Sequence, residues 1–387
     1  MGLLRKRRIA LSSLFFLSGL CFSSWASRIP DVQLKFSLSD GQLGTLLLGM
    51  PMGSLVALPL AGWSVHKFGS RAVLLISGLA YLVFLYLIGL SPSLLVLGMV
   101  VVFFGMVGNI LNIALNTHAI GIENEYKKNI LASFHGLWSL AGFSGAGIGA
   151  ASIYFGLVEA EHFLIVGFLG VLILVFSQKY ILKETEPSGG SGFVLRKPDD
   201  LLLRIGLVGF FGMMCEGCMF DWSGVYFKKV VQIEPNFVAI GYVAFMGAMA
   251  GGRFVSDALT NRIGKIKMLR ISGVLIGIGL LLAVSFPIPS TALIGFMLVG
   301  LGTASVIPLS YSIAGRSKVY SPGIALAMVA TISFFGFLLG PPIIGFIAEW
   351  FNLRVSFALI AVMGIVITIL MSIRPAVFHK KEEQAVT

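Results

Sequence analysis

Apolar residues run along most of this chain in stretches of about 20, and short polar segments separate them. An α-helix of about 20 mainly apolar residues spans the hydrocarbon core of a bilayer. Counting these stretches predicts an all-α membrane protein with twelve transmembrane helices. The helices are expected at residues 9–28, 40–65, 72–90, 93–119, 130–154, 161–182, 204–227, 236–257, 267–286, 290–314, 322–349 and 354–373.

The composition favours the same class of protein. Of the 387 residues, 57% are hydrophobic and only 12% are charged, about half the charged fraction of a soluble protein. The net charge of +11 comes from short basic clusters between apolar stretches, so it indicates membrane topology and no nucleic-acid binding. Three cysteines, Cys21, Cys215 and Cys218, are too few for a disulfide framework. Because no nucleotide, metal or catalytic motif appears, we expect no cofactor, no metal site and no enzymatic activity.

The positions of lysine and arginine orient the predicted helices. Most of the 28 basic residues fall on the same side of the membrane as the N-terminus. Basic residues concentrate in cytoplasmic loops. We therefore predict a multi-pass protein of a bacterial-type inner membrane with both termini in the cytoplasm. Only five basic residues are expected outside, namely Arg28, Lys35, Lys228, Lys229 and Arg354.

The basic cluster at residues 5–8, followed by an apolar stretch, resembles the start of a signal peptide. Cleavage after this stretch would leave an odd number of spans. We therefore expect the segment to remain as the first transmembrane helix.

A polar, glycine-rich stretch at 183–203 divides the chain into two parts of similar size. Residues 1–182 and 204–374 each contain six predicted spans, and 375–387 are expected to form a cytoplasmic tail. A short motif recurs after the second span of each part, G-W-S-V-H-K-F-G-S-R from residue 62 and D-A-L-T-N-R-I-G-K from residue 257. Parallel repeats about a linker predict two six-helix bundles with a cavity between them.

The repeated motif resembles the signature loop of the major facilitator superfamily. Gly62, Lys67, Gly69 and Arg71 match that loop, although His66 stands where the family usually has aspartate. The resemblance covers nearly the whole chain and implies a small-molecule transporter that works by alternating access. A finer resemblance, to the MosC-like and YbjJ-like branch and distantly to sugar permeases of the fucose type, rests on S-W-A-S-R-I-P at 24–30, H-G-L-W-S-L-A-G at 135–142, and Glu216-Gly217 with Asp221-Trp222.

Two carboxyl groups of the seventh span are candidates for proton coupling. Ionisable side chains at membrane depth are costly and usually functional. Glu216 lies nearer the middle of the span than Asp221, and a carboxyl group in a low dielectric takes up a proton readily. The alternative is a structural carboxyl group that bonds to a neighbouring helix.

Amide and aromatic side chains of spans four and five are candidates for solute binding. Asn109, Asn112 and Asn116 recur at positions i, i+3 and i+7 and therefore share one helix face. Amides can bind the hydroxyl groups of a sugar or polyol, or they can join helices, and Asn112 and Asn116 are the better candidates. His135 could bind solute or relay a proton, and Trp138 on the same face could stack on a sugar ring. The alternative for His135 is a capping or gating role.

Arg28 and two tryptophans complete the candidate solute site. Arg28 could bind an anionic group, or pair with Asp31 or Asp221 at a gate. Trp25 and Trp222 occupy equivalent places in the two halves. They either flank the cavity or belong to the aromatic belt at the membrane surface.

Charged residues of the repeated motif, together with Arg253 just before its second copy, are assigned to gating by the resemblance. The assignment covers Lys67, Arg71, Arg253, Asp257 and Arg262, whose charge contacts are expected to close the cytoplasmic side. Arg253 and Asp257 are four residues apart and share a helix face. The alternative is that these charges only set the topology.

These features together predict a secondary active transporter of a small polar solute, such as a sugar, a polyol or a related metabolite. We expect a monomer in the lipid bilayer, with protons as the possible coupling ion. A proton-driven multidrug or metabolite efflux antiporter is an alternative, although span four lacks the arginine and span five the Gly-Pro pair of such carriers. A non-transporting solute sensor is a further alternative.

Overall fold

The computed structural model describes residues 2–126, 130–182, 197–317 and 319–373. These residues contain no strand, and their helices agree with the twelve predicted spans. The twelve long helices are α1 (Leu3–Ser27), α3 (Asp40–Phe68), α4 (Ser70–Leu90), α5 (Leu94–Tyr126), α6 (Leu131–Tyr154), α7 (Glu159–Ser177), α8 (Asp200–Tyr226), α9 (Ile240–Ile263), α10 (Lys265–Ser285), α11 (Pro289–Ala314), α12 (Pro322–Trp350) and α13 (Leu353–Ser372). The short helix α2 (Ile29–Lys35) follows α1, and a π-helical turn (Phe227–Val231) and a 3-10 turn (Pro235–Phe237) precede α9.

Among the described residues, eleven of the long helices are long and apolar enough to cross a membrane. The remaining one, α6, has 24 residues but is rich in glycine and serine, and it packs against α1 and α9. Large apolar side chains on the outward faces are exposed, as at Leu95 (75%) and Phe176 (66%). Exposed apolar surface of this extent is what a lipid environment accommodates.

Helix ends differ from the predicted ones where polar residues cap or continue a helix. Helix α1 begins at Leu3 instead of residue 9, and α5 continues to Tyr126 instead of ending at residue 119. Glu125, near the end of α5, forms an ion pair with Arg7 at 2.6 Å, which joins these two extensions. Helix α8 begins at Asp200, because the carboxylate of Asp199 accepts a hydrogen bond from the Leu202 backbone N–H at 2.7 Å.

Parts of two predicted segments fall outside the described residues. They are 183–196 of the predicted linker at 183–203, and the chain from residue 374 onward, which includes the predicted tail at 375–387. The proposed division at 183–203 therefore remains a prediction.

Helix contacts repeat between α1–α7 and α8–α13. Helix α1 packs on α6 as α8 packs on α12, and α3 packs on α5 as α9 packs on α11. Helix α4 contacts α5 and α7 as α10 contacts α11 and α13. The two groups meet along two seams, α3 with α12 and α6 with α9, which are equivalent under the same correspondence.

The repeated sequence motif forms the same joint in each group. Gly69 is the single residue between α3 and α4, and Gly264 is the single residue between α9 and α10. Their backbone angles are nearly equal, with φ 78° and ψ 147° at Gly69 and φ 86° and ψ 155° at Gly264. Only glycine populates this region readily, which explains why both copies of the motif contain it.

We call the end of the bundle with Gly69 and Gly264 the basic end, and the opposite end the far end. The far end carries the five basic residues predicted to lie outside, and a protein acceptor binds each of them. Arg28 binds Asp31 (2.8 Å), Lys35 binds the Gly89 carbonyl oxygen (3.1 Å), Lys228 the Pro30 carbonyl oxygen (3.1 Å), Lys229 binds Asp40 (2.6 Å) and Arg354 the Val284 carbonyl oxygen (2.7 Å).

Candidate functional site

Aromatic side chains of both groups meet where α1, α6, α8 and α9 approach one another. The ring centroid of Phe22 in α1 lies 5.0 Å from that of Phe220 in α8 and 5.8 Å from that of Trp138 in α6. Phe220 also lies 6.5 Å from Tyr242 of α9. Phe22, Phe220 and Tyr242 are buried, and Trp138 is half-buried. We call these four residues the aromatic layer.

A polar network lies next to the aromatic layer, towards the basic end. Nη2 of Arg253 in α9 lies 3.3 Å from Oε1 of Glu216 in α8, and Nη1 of Arg253 donates to Oγ of Ser139 in α6. Ser139 Oγ in turn donates to the carbonyl oxygen of His135 at 3.1 Å. The Glu216 side chain is 9% exposed and that of Arg253 is 21% exposed. The network therefore joins α8 and α9 to α6 across one seam.

Arg253 contacts a residue that the sequence argument does not bring together with it. That argument places Arg253 and Asp257 on one face of α9, four residues apart. The guanidinium contacts Glu216, the candidate proton-coupling residue. The side chain of Asp257 is outside the described part of the structure. A residue assigned to gating and one assigned to coupling thus belong to one network.

Asp221, the second coupling candidate, is half-buried in α8. It forms no hydrogen bond or ion pair with the residues that the structure describes. A charged carboxylate in such a place is costly without a partner. Its environment therefore favours either proton uptake or a polar ligand.

The asparagine stripe of α5 divides into two parts. Nδ2 of Asn109 donates to the Ser54 carbonyl oxygen of α3 at 2.9 Å, which is a contact between helices. Nδ2 of Asn116 donates to the backbone and side-chain oxygens of Asn112, at 2.8 and 3.1 Å. Asn112 itself is exposed. An exposed amide in the interior of a membrane-spanning helix favours contact with water over contact with lipid.

His135 lies in α6 on the basic-end side of Trp138. The residue is exposed, and its ring lies edge-on to Phe15 of α1, with 5.5 Å between centroids. The Ser139 hydroxyl binds the His135 backbone and not the imidazole. The imidazole thus remains available at the edge of the polar network.

Each nitrogen of the Arg28 guanidinium donates to a protein group at the far end. Nε donates to Nδ1 of His162 at 3.2 Å, Nη1 to Oδ2 of Asp31 at 2.8 Å and Nη2 to the Leu157 carbonyl oxygen at 2.7 Å. Burial raises the pKa of the Asp31 carboxyl group, and the Arg28 guanidinium opposes that shift. Arg28 is only 3% exposed. These contacts favour the pairing alternative for Arg28 over direct solute binding.

The two equivalent tryptophans lie inside the bundle. Trp25 is 1% exposed and Trp222 is 0% exposed, whereas Trp63 and Trp350, near helix ends, are 53% and 73% exposed. Position inside the bundle argues against the surface belt for Trp25 and Trp222. Nε1 of Trp222 has no hydrogen-bond partner among the described residues.

The other gating candidates make contacts within their own group. Nζ of Lys67 lies 4.8 Å from the ring centroid of Trp63, and Nη2 of Arg71 donates to the Gln178 carbonyl oxygen at 2.8 Å. Arg262 is exposed. Within the described residues, none of these three side chains reaches the opposite group.

Polar contacts from α3 to the opposite group lie at the far end instead, with the turn after α8 and with α12. Lys229 pairs with Asp40 at 2.6 Å, and the Gly41 backbone N–H donates to Oε2 of Glu349 at 2.8 Å. We call these four residues the far-end latch. Sequence reasoning missed the latch, although Asp40 and Glu349 are acidic residues at the ends of two spans and Lys229 is one of the few basic residues on that side.

Clusters of metal-ligating side chains and free thiols are two further features of interest. No group of three or more His, Cys, Asp or Glu side chains among them could hold a metal ion. The free cysteines Cys21, Cys215 and Cys218 are all buried.

Comparison with known proteins fixes the family. The model of the Major Facilitator Superfamily matches residues 11–318 and, in a second match, 242–386. The chain belongs to the major facilitator superfamily. An uncharacterized MFS-type transporter of Yersinia pestis is 33% identical over 350 residues, which are 90% of this chain and 91% of that protein. The chain is thus a multi-pass membrane transporter, and such transporters carry small molecules.

Two further comparisons bear on the branch and on the fold. Membrane protein MosC of Rhizobium meliloti is 32% identical over 362 residues, 92% of this chain and 88% of that protein, which confirms the MosC-like resemblance. The solved structure of the nucleoside transporter NupG, in a mutant form, superposes with a TM-score of 0.76 at 15% identity, over 94% of this chain and 98% of that one. At this identity the likeness shows the fold alone.

Proposed function

We propose that this transporter carries a small polar solute, of the sugar, polyol or related-metabolite class, by proton-coupled alternating access. The observation that carries the proposal is the contact of Arg253 with both Glu216 and Ser139. It connects an acidic group of one half to a hydroxyl group of the other. Nε of Arg253 is buried and has no partner among the described residues, so the guanidinium can donate one more hydrogen bond to a ligand oxygen.

A solute hydroxyl can replace Ser139 as a partner of Arg253. Binding would then release the contact between α6 and α9 and alter the relative stability of the two states of the carrier. A ligand shifts such an equilibrium only through its different affinity for the two states. Replacement of an interhelical contact by a solute contact supplies that difference.

Proton coupling is assigned to Glu216, with Asp221 as a second candidate. Ionised Glu216 holds the Arg253 guanidinium, and protonation removes that attraction. The guanidinium is then free to bind a solute. Ionised Glu216 and the solute thus compete for one guanidinium, so protonation of Glu216 favours solute binding, which is the linkage that coupled transport needs.

Asn112, Asn116, Trp138 and His135 are proposed as the remaining solute contacts. Amide groups bind hydroxyl groups in both directions, and an aromatic ring offers a flat apolar face to a sugar. Trp25 and Trp222 are proposed to support this site from inside the bundle. Arg28 is proposed to act at the far-end gate with Asp31.

We propose that the halves 1–182 and 204–374 move as two bodies about the 183–203 linker, in a monomer with the basic end in the cytoplasm. The far-end latch joins the two halves at the far end. Lys67, Arg71 and Arg262 make no described contact with the opposite half at the basic end. Both observations support a carrier closed at the far end. In the alternate state, these three residues and Asp257 would close the basic end.

A thermal-shift screen of the purified protein tests the solute class. Sugars, inositols, amino acids and nucleosides are compared, because a bound ligand stabilises the folded state by mass action. We expect sugars or polyols to raise the melting temperature, and Asn112→Ala to reduce that shift. If only cationic amphiphiles stabilised the protein, the efflux alternative would replace this proposal.

Reconstituted Glu216→Gln tests the coupling. Proteoliposomes with a pH gradient are loaded with a stabilising solute from the screen. We expect the variant to equilibrate the solute but not to accumulate it, because glutamine cannot exchange a proton. The control is Glu161→Gln, since Glu161 only caps its own helix at the Val158 N–H (3.1 Å). Unchanged accumulation by Glu216→Gln would overturn the coupling role.

A further inference from the structure

A groove on the outer surface of the first half runs from the basic end towards the middle of the membrane. Helices α1, α6 and α7 form its walls. It consists of three adjoining cavities of about 460, 290 and 240 Å³. Ser13 of α1 lines all three, so they form one continuous depression. We call it the α1–α7 groove.

The two ends of the α1–α7 groove differ in chemistry. Lys6, Lys179 and Tyr180 line its mouth at the basic end. The deeper part is lined mainly by apolar side chains, among them Phe16 and Ile173. Such a gradient matches a molecule with an anionic head and a hydrocarbon tail.

The two lysines at the mouth have no acidic partner among the described residues. Both are exposed, and neither forms an ion pair with a described residue. Nζ of Lys6 lies 5.6 Å from the Tyr180 ring centroid, which places this cation beside the residue that follows Lys179. Neighbouring basic residues are occupied, since Arg7 pairs with Glu125 and Arg71 binds the Gln178 carbonyl oxygen.

We propose that the α1–α7 groove binds an anionic phospholipid from the leaflet at the basic end. The phosphate group lies between Lys6 and Lys179, and an acyl chain follows the groove past Ser13 towards Phe16. Basic pockets between transmembrane helices hold anionic head groups, and each lysine near an anionic membrane surface adds to the attraction. The proposal does not depend on the identity of the transported solute.

A second groove on the protein surface differs from the α1–α7 groove in the charge of its lining. It lies at the far end between α3, α5 and α12, has a volume of about 1140 Å³ and is mostly apolar. Its polar residues include Glu349, and no lysine or arginine lines it. It therefore offers an acyl chain room but offers an anionic head group no cation, and it serves as an internal comparison.

The test measures lipids retained by the full-length protein. The purified chain is placed in nanodiscs of equimolar phosphatidylglycerol and phosphatidylcholine, and native mass spectrometry then counts the lipids that stay bound. We expect a preference for one phosphatidylglycerol per chain. Lys6→Gln with Lys179→Gln should lower that preference about 30-fold, or roughly fivefold for each lysine.

Two further variants separate a built site from general surface charge. Ser13→Trp fills the groove and leaves both lysines in place, and we expect it to abolish the retained lipid. Lys267→Gln with Arg316→Gln removes two exposed charges from the other half at the same end, and we expect it to have no effect. The proposal fails if the wild type shows no preference, if this control acts as strongly as the lysine pair, or if folded Ser13→Trp still retains the lipid.

Discussion

The guanidinium of Arg253 lies 3.3 Å from the carboxylate of Glu216, and the same guanidinium reaches Ser139 in the other half. A buried ion pair is weak evidence for stability, because the cost of desolvating two charges offsets much of their attraction. This ion pair also holds a contact between the two halves. Protonation of Glu216 can therefore change the stability of the contact between α6 and α9.

Replacement of Ser139 by alanine should loosen that seam. The variant loses the hydrogen bond from a charged donor. We expect the population with an open basic end to rise about fivefold, which corresponds to roughly 1 kcal/mol. Distances between spin labels at Gly62→Cys and Gly323→Cys measure the opening. Both positions are exposed, and the three native cysteines are buried.

The control for Ser139→Ala is Ser77→Ala. The Ser77 hydroxyl is buried and binds the Val73 carbonyl oxygen of its own helix at 2.6 Å, so its loss leaves the seam intact. Equal distance distributions for Ser139→Ala and the wild type would show that this contact does not hold the halves together.

Two asparagines on one helix face should respond differently to alanine. Asn109→Ala removes a contact between α5 and α3 and should lower thermal stability by about 1 kcal/mol with little change in solute binding. Asn112→Ala removes an exposed amide and should weaken the stabilisation by solute without lowering the melting temperature of the free protein. Melting curves with and without solute measure both effects. A loss of stability in Asn112→Ala alone would reverse the assignment.

Neutralising the far-end latch should favour opening at the far end. The Lys229–Asp40 pair is partly exposed, so Asp40→Asn should shift the equilibrium by less than about 1 kcal/mol. Labels at Pro92→Cys and Ser290→Cys measure the far-end distance. Glu161→Gln is the control, because it removes a far-end carboxylate that does not cross between halves. An equal shift in both variants would assign the effect to surface charge instead of the latch.

The two glycine joints should be intolerant of a side chain. Gly69→Ala and Gly264→Ala force alanine into a backbone region that costs about 1–3 kcal/mol. We expect lower melting temperatures for both. Gly62→Ala in the same motif should be neutral or stabilising, because Gly62 is helical and a methyl group there meets no atom within 4 Å. Equal melting temperatures for all three variants would contradict this explanation of the repeat.

The sequence predicts the number and order of helices because apolar length and charge placement are local properties. It also predicts the two joints, since Gly69 and Gly264 stand at the same place in a visible repeat. Helix ends are less predictable. The extension of α5 to Tyr126 includes Glu125, whose partner Arg7 is distant in the chain.

Partners across helices are not predictable from spacing. Helical periodicity places Arg253 and Asp257 on one face of α9, but the contacts of Arg253 with Glu216 and Ser139 follow only from the packing of α8, α9 and α6. The same limitation applies to Arg28, whose expected partner Asp31 is near in sequence but whose second partner His162 belongs to α7. Separating Asn109 from Asn112 also requires the position of Ser54 on α3.

The one-residue joints limit how the protein can bend. A connection of one residue holds the end of α3 and the start of α4 close together, so neither can move far without the other, and the same applies to α9 and α10. Larger bending must then occur within the helices themselves. Helix α3 contains Pro51 and Pro59, and α12 contains Pro341 and Pro342. Both helices of the α3–α12 seam thus contain prolines at which they can bend. The range of motion of the transporter therefore depends on how far α3 and α12 flex.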